Sequence, residues 1–141
     1  MSIIKSVTIK EIARAIAENN TCYLQRFSGT VTTIDNSIED PEEIAIQKDR
    51  EAEIERKIEN YVKIENLSPK DQLVIMNDFL EELPNKSVRK QLSNALNRKN
   101  PIRNFKQAIQ SDIELNQHWL NFNFEEYQRW VSNVIIDAYN Y

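Results

Sequence analysis

Glycine is nearly absent from this chain, and that absence limits the folds available to it. Of 141 residues, only Gly29 is a glycine, and four are prolines. Phosphate-binding loops and dinucleotide folds need several glycines, because the backbone must approach the ligand closely. An all-β sandwich or barrel needs many tight turns, which glycine and proline usually supply. The sequence therefore excludes both kinds of phosphate-binding fingerprint and disfavours an all-β fold.

The length and composition predict one soluble globular domain. A chain of 141 residues with 40% hydrophobic and 28% charged residues has the balance of a folded domain. No apolar run approaches the roughly 18 residues that a membrane helix needs, and the N-terminus lacks the apolar stretch of a secretory signal. The one cysteine, Cys22, has no internal disulfide partner. We expect a single domain over residues 1–141, in the cytoplasm, with no membrane attachment.

Residues 1–34 predict a helix followed by a β-hairpin. Thr8-Ile9-Lys10-Glu11 has the capping-box pattern, and apolar residues at helical spacing continue to about Glu18. Two stretches rich in β-prone residues follow, at 21–25 and 30–34. Ser28-Gly29 lies between them, and Gly29 supplies the positive φ that a turn requires.

Residues 35–60 predict an exposed acidic connection and a charged helix. Asp40-Pro41-Glu42-Glu43 provides a cap, a proline at the first helical position and acids in the first turn. The helix runs to about Asn60, and because its apolar stripe is thin we expect it to be more exposed than the rest. Residues 61–64 continue it or form a third short strand, and four residues are too few for periodicity to decide.

Residues 61–141 predict a helical bundle. Five short helices begin at capping residues and carry apolar side chains at helical spacing, starting near Ser68, Ser87, Asn100, Ser111 and Asn123. The predicted fold class is therefore α+β and mostly α. An N-terminal helix and hairpin pack beside a C-terminal bundle of about five short helices.

Scattered residues along the chain match a known family. They are Tyr23-Leu24, Ser28-Gly29, Val31, Tyr61-Val62-Lys63-Ile64, Met76-Asn77-Asp78-Phe79, Leu92, Ala95-Leu96, Phe105-Lys106, Trp119, Phe122 and Trp130. In these positions the chain resembles uncharacterised protein family 0158, a set of small bacterial proteins. The resemblance implies the α+β layout and a third strand at residues 61–64, and it supplies no activity or catalytic residue. The family tends to have a glycine-containing turn where this chain has residues 97–101.

Charge is unevenly distributed along the sequence. Between Leu83 and Ser111 there is no acidic residue, whereas the rest of the chain holds 11 basic and 22 acidic residues. The seven basic residues of this stretch, hereafter the basic block, are Lys86, Arg89, Lys90, Arg98, Lys99, Arg103 and Lys106. Several of them fall at predicted helix starts, where cations oppose the helix dipole and free amides favour anions.

Two interpretations of the basic block stay open. In the first, it forms a surface that binds phosphate, with nucleic acid as the expected ligand, because phosphate contacts dominate that affinity. Alternatively, its side chains are solvated helix faces or dock the acidic segment 35–59, which has ten acids and four bases. The net charge of −4 lowers the case for nucleic acid.

Other residue sets favour structural roles. The aromatic residues of 119–130 have the spacing of a helical core rather than of a base-stacking platform. His118 is the only histidine and is predicted to lie at the surface, while Cys22 is predicted to be a buried thiol. The string Glu53, Glu55, Lys57 superficially resembles a nuclease strand motif, but the pattern around it is helical.

The sequence therefore predicts a non-enzymatic interaction or regulatory module with no cofactor, no metal and no catalytic residues. An unidentified protein partner is the expected ligand. Nucleic-acid binding through the basic block is the alternative, and a hydrolase whose carboxylates converge only in the fold is the second alternative.

Overall fold

The computed structural model describes residues 4–140 as six α-helices and one three-stranded sheet. The elements are α1 (Ser6–Ala17), β1 (Thr21–Gln25), β2 (Val31–Ile34), α2 (Pro41–Glu55), β3 (Tyr61–Ile64), α3 (Pro69–Glu81), α4 (Lys86–Leu96), α5 (Pro101–Gln110) and α6 (Ile113–Tyr139). Residues 1–3, on which part of the expectation about a secretory signal rests, and residue 141 lie outside the described residues. The mostly helical α+β class is confirmed, and residues 61–64 are a strand.

The chain divides into two compact units. Unit 1 contains the chain up to Asn66 and from Tyr127 onward, and unit 2 is Leu67–Glu126. Helix α6 runs without a break from residues of unit 2 into residues of unit 1. The single domain over residues 1–141, with sub-regions 1–34, 35–60 and 61–141, stays a prediction. It means that the two units unfold together.

The sheet of unit 1 is built around a buried central strand. Its order is β2-β1-β3, and β1 pairs antiparallel with both neighbours. The first four residues of β1 are buried, and α1 buries Ile12, Ala13 and Ile16. Gly29 has a φ of 73° at the turn between β1 and β2, so the predicted hairpin and its positive-φ glycine are confirmed.

The predicted capping box of α1 is wrong. The helix begins at Ser6, and the amide of Ile9 donates to the carbonyl of Lys5 at 3.2 Å, which places Thr8 inside the first turn. A capping residue must have extended backbone just before the helix. The apolar residues at helical spacing from Ile9 onward therefore belong to a helix that begins three residues earlier, at Ser6.

Tyr23 of β1 links the sheet to α2. Its side chain is fully buried, and its hydroxyl oxygen lies 2.9 Å from a carboxylate oxygen of Glu51 and 2.8 Å from one of Glu55, so its single proton is shared between these two acceptors. Burial first, and then the two carboxylates, raise the pKa of Tyr23 well above its usual value. The hydrogen bond from Tyr23, and then the one from Lys63, lowers the pKa of Glu55. The only side chain of α2 that is itself buried is Ile54. Polar contacts add to it, namely these bonds and two between Gln47 and the backbone of Asp35.

An aromatic cluster forms the core of unit 2. The rings of Phe79 on α3, Phe105 on α5 and Trp119 on α6 meet edge to face. The ring centroids are 6.4 Å apart between Phe79 and Phe105, 5.3 Å between Phe79 and Trp119, and 4.9 Å between Phe105 and Trp119. All three side chains are buried. The predicted core role of the late aromatic residues is thus confirmed for Trp119, and also for Tyr127, which is buried in unit 1. Phe122, Phe124 and Trp130 are half-buried.

Helix boundaries differ from the sequence prediction in the second half of the chain. The fourth and fifth predicted helices are one helix of 27 residues, α6. Residues 123–126 look like a start in isolation, but neither glycine nor proline precedes them to end the previous helix. At α4 the cap is Asn85 rather than Ser87, and its side chain accepts from the amides of Ser87 and Val88.

Trp119→Ala is expected to destabilise the protein by about 3–5 kcal/mol, because it leaves a cavity beside Phe79 and Phe105. Trp130→Ala removes a half-buried indole and is the matched control, with a clearly smaller expected loss. Urea unfolding at neutral pH measures both losses. Equal losses for the two variants would contradict the placement of Trp119 at the centre of this core.

Tyr23→Phe is expected to lower the free energy of unfolding by about 1 kcal/mol at neutral pH, through loss of a buried hydroxyl that bonds to charged groups. The lowered pKa of Glu55 means that this contribution is complete above the unfolded glutamate pKa of about 4.3. It is lost as the pH falls through the lowered native value.

Unfolding of wild type and variant at neutral pH and near pH 3 tests both statements. Tyr61→Phe is the control, because its hydroxyl has no hydrogen-bond partner among residues 4–140. If the difference in free energy of unfolding between wild type and Tyr23→Phe is larger near pH 3 than at neutral pH, the assigned role of the carboxylates is contradicted.

Candidate functional site

The basic block is exposed and has no neutralising partner within unit 2. Six of its side chains are exposed, and Arg89 is half-buried. None of the seven forms a salt bridge with a residue of 67–126. Outside the block, unit 2 contains one basic residue, Lys70, and eight acidic residues. Unit 2 is therefore neutral overall, with a charge of +7 on the block and −7 on the remainder.

The cations of α4 lie along the exposed side of that helix. Leu92 and Ala95 point into the core, which leaves the row Lys86, Lys90 and Asn94 facing outward at i, i+4 spacing. Arg98, one further step along this row, follows the last turn, where its amide donates to the carbonyl of Ala95. Arg89 lies at the flank of the row and is half-buried.

The cations of α5 lie opposite its buried residues. Phe105 and Ile109 are buried, so Arg103 and Lys106, which are exposed, occupy the outer side together with Gln107. The seven residues thus form two rows on successive helices rather than one continuous patch, with Lys99 in the link between them.

Two surface grooves border the outer side of α5. The α4–α5 groove has a volume of about 420 Å³ and is lined by Arg98, Gln107 and neighbouring small and amide side chains. The α3–α5 groove has a volume of about 650 Å³, and Arg103 and Lys106 belong to its lining. Gln107 lines both grooves, so the two cavities lie on either side of α5.

The α3–α5 groove has an apolar part that sequence reasoning missed. Pro69 and Leu73 of α3 and Pro101 and Ile102 of α5 line it. The sequence marks both prolines only as helix starts and Ile102 only as a core residue, yet Ile102 is half-buried. No local pattern shows that two helix starts lie next to each other, because that depends on how α3 and α5 pack.

The predicted anion corners at the helix starts differ from one another. At α4 the side chain of Asn85 accepts from two of the first amides, at 2.9 and 3.2 Å, so that start is already capped. At α5 the cap residue Asn100 has left-handed backbone (φ 58°, ψ 57°) and, within the described chain, makes no side-chain capping bond. Asn100 thus adopts a conformation that the family's glycine would allow, which asparagine tolerates better than most residues.

The remaining candidate residues have local structural contacts. His118 is exposed as predicted, with its Nε2 atom 3.6 Å from a carboxylate oxygen of Glu82 and its ring against Phe79. Cys22 is fully buried as predicted, and burial raises the pKa of its thiol. Glu53 lies on α2 and pairs with Arg56 at 2.9 Å.

The acid-rich helix does not gather its carboxylates around one point. Glu53 and Glu55 are two residues apart on a helix, and Glu55 instead contacts Tyr23 and Lys63. Among residues 4–140, no three side chains of the His, Cys, Asp and Glu types are grouped closely enough to hold a metal ion. In the same part of the chain, no helix is long and apolar enough to span a membrane.

Comparison with known proteins gives a family but no activity. UPF0158 protein PA5073 of Pseudomonas aeruginosa is 30% identical to this chain over 115 residues, which cover 82% of this chain and 71% of that protein. No solved structure matches the chain. The matching family model covers residues 2–138 and is described only as uncharacterised. This chain therefore belongs to the uncharacterised protein family UPF0158, which has no assigned function.

Proposed function

We propose that this chain is a non-enzymatic interaction module that binds the phosphate backbone of nucleic acid through the basic block. One observation carries the proposal: seven cations project from α4, α5 and their link, and no acidic side chain of unit 2 neutralises them. Unneutralised cations in rows attract a polyanion, because each phosphate contact releases condensed counterions.

The arrangement of the rows supports contact with a backbone rather than with base edges. Lys86 and Lys90 are about 6 Å apart along α4, from the rise of a helix, and Arg98 follows two residues after the end of that helix. Lysine binds phosphate as a flexible point charge and reads no sequence by itself. We therefore infer binding without strong sequence preference.

The cytoplasm is the proposed location for this activity. Cys22, the one cysteine, is a buried thiol in unit 1, and such a thiol is stable in a reducing compartment. Nucleic acid is accessible there.

Fluorescence anisotropy with labelled single-stranded RNA and double-stranded DNA at low salt tests the proposal. We expect the protein to bind at least one probe, with an affinity that falls steeply as the salt concentration rises. The triple variant Lys86→Gln, Lys90→Gln, Arg98→Gln is expected to bind at least about tenfold more weakly. Its salt slope should decrease in magnitude by roughly 0.7–0.9 for each phosphate contact that is lost.

The matched control removes the same charge elsewhere. Lys10→Gln, Lys48→Gln, Lys57→Gln changes three exposed lysines outside the block and gives the same net charge as the test variant. Its affinity is expected to stay close to that of wild type. If neither probe binds at low salt, or if both triple variants lose affinity equally, nucleic acid is ruled out as the partner.

A further inference from the structure

Helix α2 carries an acidic and aliphatic face that its own unit does not cover. Ile54 is the buried residue of this helix, on the side that meets Tyr23 and Ile34. On another side Glu42, Ile46, Asp49 and Glu53 recur at i, i+4, i+7 and i+11 spacing, and all four are exposed. Ile46 keeps 59% of its surface exposed, although an isoleucine gains most from burial.

The α3–α5 groove has the complementary chemistry. Leu73 and Ile102, with the two prolines beside them, offer an aliphatic surface, and Arg103 and Lys106 add two positive charges. None of the nine lining residues is acidic, and none is aromatic. A nucleobase would find no ring to stack on, whereas an aliphatic side chain flanked by carboxylates would meet both apolar surface and opposite charge.

We propose that α2 of one copy of this chain docks in the α3–α5 groove of a second copy. Ile46 packs on Leu73 and Ile102 of the other copy, and the acids of the same face lie opposite Arg103 and Lys106. The contact is a helix laid in a groove with one apolar anchor, Ile46, flanked by acidic side chains. Each chain carries one helix face and one groove, and the proposed assembly is a symmetric dimer in which the contact is made twice.

The occupant is a second copy because both halves of the contact are on this chain. The segment 35–59 has ten acids and four bases, and the block has seven bases and no acid, so these two segments of neighbouring copies are complementary in charge. The inference goes beyond the proposed function, since it concerns assembly. The proposed contact uses two residues of the basic block, Arg103 and Lys106, and leaves the row on α4 and the link accessible.

Light scattering coupled to gel filtration, supported by sedimentation across a range of concentrations, measures the assembly without nucleic acid. We expect a dimer whose dissociation constant rises with salt. Ile46→Asp should raise that constant at least about tenfold, because it places a charge against an apolar surface. Lys5→Glu, Lys10→Glu, at two exposed lysines of unit 1 outside the proposed contact, should leave the dimer intact.

A charge swap tests the pairing itself. Arg103→Glu, Lys106→Glu and, separately, Glu42→Lys, Asp49→Lys should each give monomers, and an equimolar mixture of the two variants should recover a heterodimer. Circular dichroism verifies that each variant is folded. A monomer at every concentration, a dimer indifferent to Ile46→Asp, or a mixture without recovery would overturn the inference. Nucleic-acid binding by the α4 row is measured separately, so either proposal can fail while the other stands.

Discussion

The edge-to-face packing of Phe79, Phe105 and Trp119 is the interaction on which the surface of unit 2 depends. Each ring comes from a different helix, so their burial fixes how α3, α5 and α6 are rotated about their own axes. Once Phe105 points inward, the helical repeat forces Arg103 and Lys106 outward. The same packing brings the starts of α3 and α5 side by side and so creates the groove between them. The apolar core thus determines which charges are accessible, although no charged residue takes part in it.

Helix α2 is held in a different way. It buries one apolar side chain, and the hydroxyl of Tyr23 joins it to the sheet through Glu51 and Glu55. Apolar burial contributes most of the stability of typical helices in proteins, and this helix has little of it. Local features compensate in part, since Asp40 caps the start and Pro41 occupies the first position. A helix held by few contacts keeps most of its circumference free, which is why α2 can present a face to another molecule.

Local chemistry was readable from the sequence, whereas relations between distant segments were not. The hairpin around Gly29 and the start of α2 at Pro41 follow from residues that act on their own backbone, and both were predicted correctly. The continuity of α6 was missed because residues 123–126 resemble a helix start. A short motif of this kind does not show whether the backbone hydrogen bonds of the preceding helix continue through it. The charges of the block were visible as a composition change. Their division between two helices, and the aliphatic groove beside Ile102, required the packing of three helices to be known.

The first turns of the helices contrast in a way that bears on function. Helices α2 and α3 have acids in their first turns, which the helix dipole favours. Helices α4 and α5 have none, and instead place Lys86 and Arg103 there, each at a cost of a few tenths of a kcal/mol. A sequence selected only for stability would favour carboxylates at these positions, as found in α2, α3 and α6, whereas α1 has no acid in its first turn either. Local rules that a protein violates without a structural gain are typical of its functional sites. An anion bound beside these starts would interact favourably with the dipole and the cations, and at α5 also with first-turn amides that no side chain caps, so it would offset the cost that the free protein bears.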